Sequence, residues 1–311
     1  TKRVCCYQQT RSSQVGGVSL SRLTKYEKKL YSPWFILPGG IIYFIFFLLP
    51  TLSSFFFSMT WWTLTDWKFI GFENFRDFFT DPNLNISFKN TFIYAVTTSG
   101  SKVILALLLA SFLSSPAIKI RNFLRSVVYF PNLVSTLAVG ITFQSLMHPT
   151  QGVINNALGL LGIKGPDWLG NINLALYSVA LVDVWKGLSI ATVIYIAGIM
   201  SIPQEYNEAL LVDGGNAWHR FRYIIVPLTR GARNSVIILS FIGGLRSFDL
   251  IMVMTKGGPG FATSLISYVI YKLYANSLYG LSTAGNVILF IVIGILAFPL
   301  YKYLTRTEVE L

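Results

Sequence analysis

Five ionisable residues stand inside long apolar runs, and their types and spacing are the main chemistry this sequence offers. Asp183 and Lys186 lie three apart, Arg246 and Asp249 lie three apart, and Lys102 stands alone. A three-residue spacing puts both members of a pair on one face of a helix. Each pair either neutralises itself or presents charge to a polar solute. An ionisable group at the centre of a bilayer costs about 2.5 to 3.5 kcal/mol on insertion scales, so each of the five marks a candidate pathway position. Lys102 has no acidic residue three or four positions away. It pairs across helices with Asp183 or Asp249, snorkels, or stays free to attract an anion. Trp185 sits beside the polar face of Asp183 and Lys186 and is a candidate lining residue. Catalytic constellations are missing. The two histidines, His148 and His219, lie far apart, and the two cysteines, Cys5 and Cys6, are adjacent. That pattern gives neither a disulfide framework nor a His/Cys metal centre, and no H-E-x-x-H run occurs. No catalytic residue, metal or bound cofactor is expected of this chain.

The elements that must hold these charges are membrane helices. Of 311 residues, 53% are hydrophobic and 12% charged, against about a quarter charged in a soluble domain, which excludes an ordinary soluble enzyme. About 20 apolar residues cross a bilayer as a helix. A scan at that length gives six spans, at roughly 34–58, 91–113, 127–147, 174–200, 235–255 and 283–304. The expected fold class is all-α, a polytopic membrane protein with six transmembrane helices. Its parts are a basic cytoplasmic tail over 1–33, a transmembrane domain over 34–305 and a short tail over 306–311. The apolar run from 34 is too long for a cleavable signal and reads as a retained anchor. Cys5 and Cys6 read as idle thiols in preference to palmitoylation sites. The net charge is +12, and its distribution sets the orientation. With both termini inside, 16 Lys and Arg fall on cytoplasmic segments, 6 on the opposite side and 3 within spans. That is the positive-inside bias of a multi-pass protein, not a nucleic-acid footprint. Trp61, Trp62 and Trp67 fall where an outer interfacial belt would lie.

The longest informative segment outside the spans is 201–234. Pro203 stops the fourth span, 205–212 has helix-forming composition, and Asp213-Gly214-Gly215 allows a sharp turn. Asn216 can cap a second short helix, which Pro227 closes. Two short helices on the cytoplasmic face suit a docking element for a soluble partner, and 30 residues is long for a mere connector. This stretch resembles the EAA loop of binding-protein-dependent ABC importers: Glu208-Ala209-Leu210, then Gly214, then Ile224-Ile225-Val226-Pro227. The similarity continues along the chain in Phe69-Ile70-Gly71-Phe72-Glu73-Asn74-Phe75, Asn90-Thr91 opening the second span, and Tyr129-Phe130-Pro131. It also takes in Gly152-Val153-Ile154-Asn155 with Trp168-Leu169, and Thr255-Lys256-Gly257-Gly258-Pro259. That set resembles carbohydrate permeases, in the branch of the larger permease subunit of the maltose importer.

The resemblance implies a bacterial cytoplasmic-membrane permease subunit that moves a carbohydrate inward by alternating access. Glu208, Ala209, Asp213, Gly214 and Gly215 would form the coupling helix and its turn against an ATPase subunit. Sugar contacts would come from Asp183, Lys186 and Gly187, from Asn132 and Thr136, and from Gly243, Gly244 and Ser247. Gly243 and Gly244 stand where that branch has larger side chains, which either removes two contacts or widens the cavity. An unpaired Lys102 would suit an acidic, uronate-containing oligosaccharide. The chain has no G-x-x-x-x-G-K-[ST] motif, so ATP and Mg would bind a partner. The implied partners are a second, homologous permease in a heterodimer, two ATP-binding cassette subunits, an extracytoplasmic solute-binding protein and membrane lipid, without nucleic acid. Two other classes stay open from the residues alone: an ion- or proton-coupled secondary transporter using the intramembrane charges, and, more remotely, an intramembrane enzyme.

Overall fold

The computed structural model describes residues 14–15, 18–19, 33–63, 65–115 and 118–306. The basic cluster from Lys2 to Lys29, Cys5 and Cys6, and the chain end from 307 lie outside the described residues. Two compact units result, 1–56 and 57–311.

In the first unit Gln14–Val15 (β1) pairs antiparallel with Val18–Ser19 (β2). Its main element is the apolar helix Trp34–Phe57 (α1), whose last residue, Phe57, is counted with the second unit. At 24 residues it is about 36 Å long, enough to cross a hydrocarbon core of about 30 Å. Phe44–Leu48 widens into a π turn in which the Leu49 N–H reaches back to the Phe44 carbonyl. The wide turn immediately precedes Pro50, whose ring would clash with the carbonyl four residues back in a regular helix.

The second unit begins with a hairpin, Thr60–Trp62 (β3) and Trp67–Phe69 (β4). The helices that follow are Glu73–Thr80 (α2), Pro82–Leu113 (α3), Arg121–Leu133 (α4), Thr136–Leu146 (α5), Val153–Leu160 (α6) and Ala175–Met200 (α7). Then come Gln204–Val212 (α8), Ala217–Leu228 (α9), Arg230–Leu245 (α10), Asp249–Met254 (α11), Ile266–Ala275 (α12) and Tyr279–Thr305 (α13). By length and apolarity α1, α3, α7 and α13 can each cross a membrane. The pairs α4/α5 and α9/α10 pass the same test but are bent by 96° and 69°. Six crossings therefore result only when each bent pair counts as one.

The centre of the unit is α3 packed against α7 and α10. Ala106, Ala110 and Ala191 are buried there with Tyr195 and Val236, and small side chains let helix backbones approach closely where lipid supplies no hydrophobic drive. A second core, Tyr94, Val179, Val182, Ile251 and Met254, joins α3 and α7 to α11. A third sets Phe78 and Leu84 against Ile266, Ile270, Ile288 and Leu289 of α12 and α13.

Three expected spans need correction. The third is not a continuous helix over 127–147. Pro131 lacks the N–H that would extend α4, and Val134 turns to an extended conformation, φ −85° and ψ 136°, before α5 leaves at the 96° bend. The fifth is not continuous over 235–255 either: after Gly243-Gly244 the helix ends at Leu245, and Arg246 to Phe248 separate it from α11. Two adjacent glycines are poor helix formers, so the apolar run could not carry the helix through. The second span begins well before 91. Asp81 Oδ1 accepts the Asn83 N–H at 2.9 Å, so α3 starts at a capped Pro82 and its polar first turns extend beyond the apolar stretch. Pro227 stands next to the end of α9, one residue before its last, Leu228. The π stretch Arg220–Ile225, in which the Val226 N–H reaches the Phe221 carbonyl, admits it just as the wide turn in α1 admits Pro50.

The early start of α3 places Asn90-Thr91 inside a helix, and there they act as pins. Asn90 Nδ2 lies 3.0, 3.0 and 3.2 Å from the carbonyls of Phe261, Ala262 and Ser264. Thr91 Oγ1 accepts the Ile266 N–H at 3.0 Å. Together they fix the loop between α11 and α12. Asn74 does the same near the hairpin, donating to the carbonyls of Ser58 and Thr60 at 2.9 and 2.8 Å. Asn155 donates to the Pro149 and Pro166 carbonyls and accepts the Trp168 indole N–H at 2.7 Å. Replacing Asn90 by Ala takes the side-chain donor from the Ala262 carbonyl and from the buried Ser264 carbonyl, and the expected loss is about 1 to 3 kcal/mol of stability. Faster proteolysis within 255–264 than in the parent would show it; an unchanged cleavage rate would remove the pinning role.

Candidate functional site

Both breaks in the apolar helices open onto one cavity of about 420 Å³. Non-helical backbone at membrane depth is tolerated where it is buried in protein or lines a wet cavity, and the residues here fit that rule. The α4/α5 break supplies Asn132 and Thr136; the gap before α11 supplies Arg246, Ser247, Phe248 and Asp249. The uninterrupted α7 contributes Asp183, Lys186, Gly187 and Ile190. Positions 183, 186, 187 and 190 follow the one-face spacing of a helix. Gly243 completes the wall, with open space where a Cβ would stand.

The charges do not pair along their own helices. Lys102 Nζ lies 2.7 Å from Asp183 Oδ2, an ion pair from α3 to α7, so Lys102 is not a free cation. Of the alternatives the sequence left open, pairing with Asp183 is the one realised. The Lys102 stem reaches Asp183 through the space left by Gly187. A Cβ at Gly187 would lie 2.4 Å from Lys102 Cε. Lys186 points elsewhere: its Nζ donates to the Val134 carbonyl at 2.6 Å and, more weakly, to Pro131 at 3.4 Å. These carbonyls belong to the end of α4, where the missing helical turn leaves acceptors unsatisfied and the helix dipole favours a cation. Among the described residues Arg246 and Asp249 form no ion pair with each other, and both line the cavity.

Two expected lining residues fall away. Trp185 is turned to a different face of α7 and packs on Phe143 of α5, ring centroids 5.2 Å apart. A residue next to the polar face in sequence is rotated about 100° from it on a helix. Gly244 faces α3, where a Cβ would lie 2.7 Å from the Ala95 Cα; its absence of a side chain permits the close crossing of α3 and α10. Ile190, Phe248 and Leu250 line the cavity without having been singled out. The spacing from Lys186 already pointed to Ile190, whereas Phe248 comes from an irregular segment that carries no periodic signal. A smaller cavity of about 150 Å³, walled by Lys102, Ile194, Val236, Leu239 and Ser240, shares Gly187, Ile190 and Gly243 with the main one.

Because Lys186 holds the α4 terminus, its loss should be felt as loss of order there. Lys186→Met is expected to cost about 1.5 to 3 kcal/mol, the range for a hydrogen bond from a charged group. Lys186→Arg should retain most of it. Thermal unfolding of the two purified variants checks this; equal melting for Met and Arg would mean that the bonds to α4 contribute nothing.

At the other end of α7 lies the segment expected to dock a partner. Gly214 adopts φ +71°, a left-handed conformation that glycine reaches without penalty, and the Gly215 N–H closes the end of α8 on the Leu210 carbonyl at 2.8 Å. Asn216 caps α9 through the His219 N–H at 3.0 Å. Arg220 Nε donates to Asn207 Oδ1 at 2.7 Å, tying the two helices together. Glu208, Ala209, Asp213 and Gly214 are exposed, beside the uncovered apolar side chains of Leu211, Val212 and Trp218. The belt residues Trp61 and Trp67 are exposed on the hairpin, while Trp62 stacks on Phe57 at 4.6 Å.

Residues 102–308 match the model of the binding-protein-dependent transport system inner membrane component family. The trehalose/maltose transport system permease protein MalF of Thermococcus litoralis is 30% identical over 285 residues, 88% of this chain and 94% of that one. The multiple sugar-binding transport system permease protein MsmF of Streptococcus mutans is 28% identical over 290 residues, 92% of this chain and 99% of that one. Among solved structures, one chain of a bacterial ABC transporter involved in the import of the acidic polysaccharide alginate superposes with a TM-score of 0.77. That match is 23% identical and covers 93% of this chain and 99% of that one, a likeness of fold. From the sequence match and the broken-helix architecture together, this chain belongs to the binding-protein-dependent transport system inner membrane components, the permease subunits of ABC importers.

Proposed function

We propose that the chain is the translocation subunit of an importer for an oligosaccharide and that the 420 Å³ cavity is where the sugar passes. The observation that carries this is the convergence of two helix breaks and a polar face of α7 on one cavity inside an otherwise apolar bundle. Polar lining at that depth is expensive unless a polar solute uses it, and broken helices around a mid-membrane site are the way transporters expose backbone groups to a substrate. The names of the relatives, which include arabinooligosaccharide and lactose permeases, support a carbohydrate.

Several finer points belong to the same reading. Counting each bent pair as one crossing gives six spans, and the positive-inside bias puts both termini and the α8–α9 segment in the cytoplasm. That segment is the EAA loop, which docks in an ATP-binding cassette subunit through Glu208 and the exposed apolar side chains around it. ATP and Mg bind there and not to this chain. A homologous permease completes the pathway, and a solute-binding protein delivers the sugar from outside. Lys102 is neutralised by Asp183, so the acidic-sugar reading now rests on Arg246, which faces the cavity together with Asp249. Affinity purification of the chain from its native membranes tests the assembly. Co-purification of a P-loop ATPase and a second permease is the expected result; a chain that purifies alone and transports without ATP would replace this reading by a secondary carrier.

A further inference from the structure

A groove of about 280 Å³ lies between α12 and α13, lined by Phe248, Ser267, Tyr271, Tyr274, Ser282 and Asn286 among others. Phe248 also lines the central cavity, so the two spaces share this aromatic residue. The lining is aromatic and polar at once. Phe248 and Tyr271 stand with ring centroids 5.0 Å apart at 50°, and Tyr271 and Tyr274 are exposed. Ser267 Oγ is buried with no hydrogen-bond partner, and the Asn286 amide makes one long bond, 3.4 Å, to the Ser282 carbonyl. Asn286 is exposed on a helix that is apolar for most of its length. The exposed Asn286 amide therefore keeps hydrogen-bonding capacity in the groove, which a hydroxyl-rich ligand or water can use. Flat rings beside hydroxyl and amide groups match a pyranose, which has an apolar C–H face and a rim of hydroxyls.

We propose that this groove is a second sugar subsite, seating one ring of an oligosaccharide whose next rings enter the central cavity past Phe248. This rests on the carbohydrate reading given above and adds to it that the oligosaccharide is held in two places.

The test uses cysteine reactivity in the assembled complex, with Cys5 and Cys6 replaced by Ser. Asn286→Cys and, separately, Tyr274→Cys report on the groove, and Gly243→Cys reports on the central cavity. Each is labelled with a membrane-impermeant maleimide, with and without maltotriose, arabinotriose or trigalacturonate. The expected result is that one of these trisaccharides slows labelling at both Gly243→Cys and the groove positions. The slowing should be about tenfold at ten times the half-saturating concentration. Protection at Gly243→Cys with none at either groove position would overturn the subsite and leave the importer reading standing. Groove positions that react in the chain alone but not in the complex would make the groove a surface for the second permease, which also overturns it. Protection nowhere, with no uptake of any carbohydrate, would remove both.

Discussion

Replacing Lys102 by Met should be the most damaging single change in the membrane-spanning core. The substitution keeps the length of the stem but leaves Asp183 charged and without its cation. Removing one partner of a buried ion pair costs about 3 to 5 kcal/mol, whereas replacing both by apolar groups is often neutral. The Asp183 side chain is 21% exposed toward the cavity, against 9% for Lys102, so the loss belongs at the lower end, about 3 kcal/mol. The double variant Lys102→Met/Asp183→Leu should recover most of that stability while losing transport, because Asp183 also lines the cavity. Gly187→Ala should act like a weaker Lys102→Met, since the added methyl occupies the path of the Lys102 stem. Thermal unfolding of the parent, Lys102→Met, Asp183→Leu and the double variant forms the cycle, with Gly187→Ala measured beside it. If the loss in the double variant equals the sum of the two single losses, the pair is not coupled and the account of the core is wrong.

Glu208→Lys should have the largest effect on function with the least on folding. Glu208 is exposed on α8, so its replacement strains nothing inside the chain. At a docked interface a like-charge juxtaposition costs several kcal/mol, and each 1.4 kcal/mol is tenfold in affinity or coupling. Uptake is expected to fall by at least about tenfold, with the chain still inserted and the ATPase subunits still hydrolysing ATP. Uptake at the parental rate would show that Glu208 does not couple the two.

The two predictions draw on information of different kinds. The Gly214 turn was legible because caps and glycines act locally, and Glu208 was named through the resemblance of its loop to the EAA pattern. Asp183 and Lys186 were legible as a polar face because a 3.6-residue period is written along a single helix, and Gly187 came with the family resemblance. The partner of Asp183 was not. Lys102 is 81 residues away, and which helices pack together is settled by small side chains such as Ala106, Ala110 and Ala191, whose pattern resembles any apolar run. The breaks had local causes, Pro131 and Gly243-Gly244, but hydropathy averages over them, so two interrupted elements read as continuous spans. Phe248, the residue joining the two spaces, lies in the irregular piece between α10 and α11, where no period exists to be read.

The central claim is that polar breaks in apolar helices form a sugar pathway opened by a partner's ATP hydrolysis. It is tested most directly in liposomes containing the complex that co-purifies with this chain, with its binding protein outside and ATP sealed within. Accumulation of maltotriose, arabinotriose or trigalacturonate should depend on internal ATP, survive collapse of all ion gradients and disappear with Glu208→Lys. Accumulation by this chain alone, driven by an ion gradient and indifferent to ATP, would contradict it.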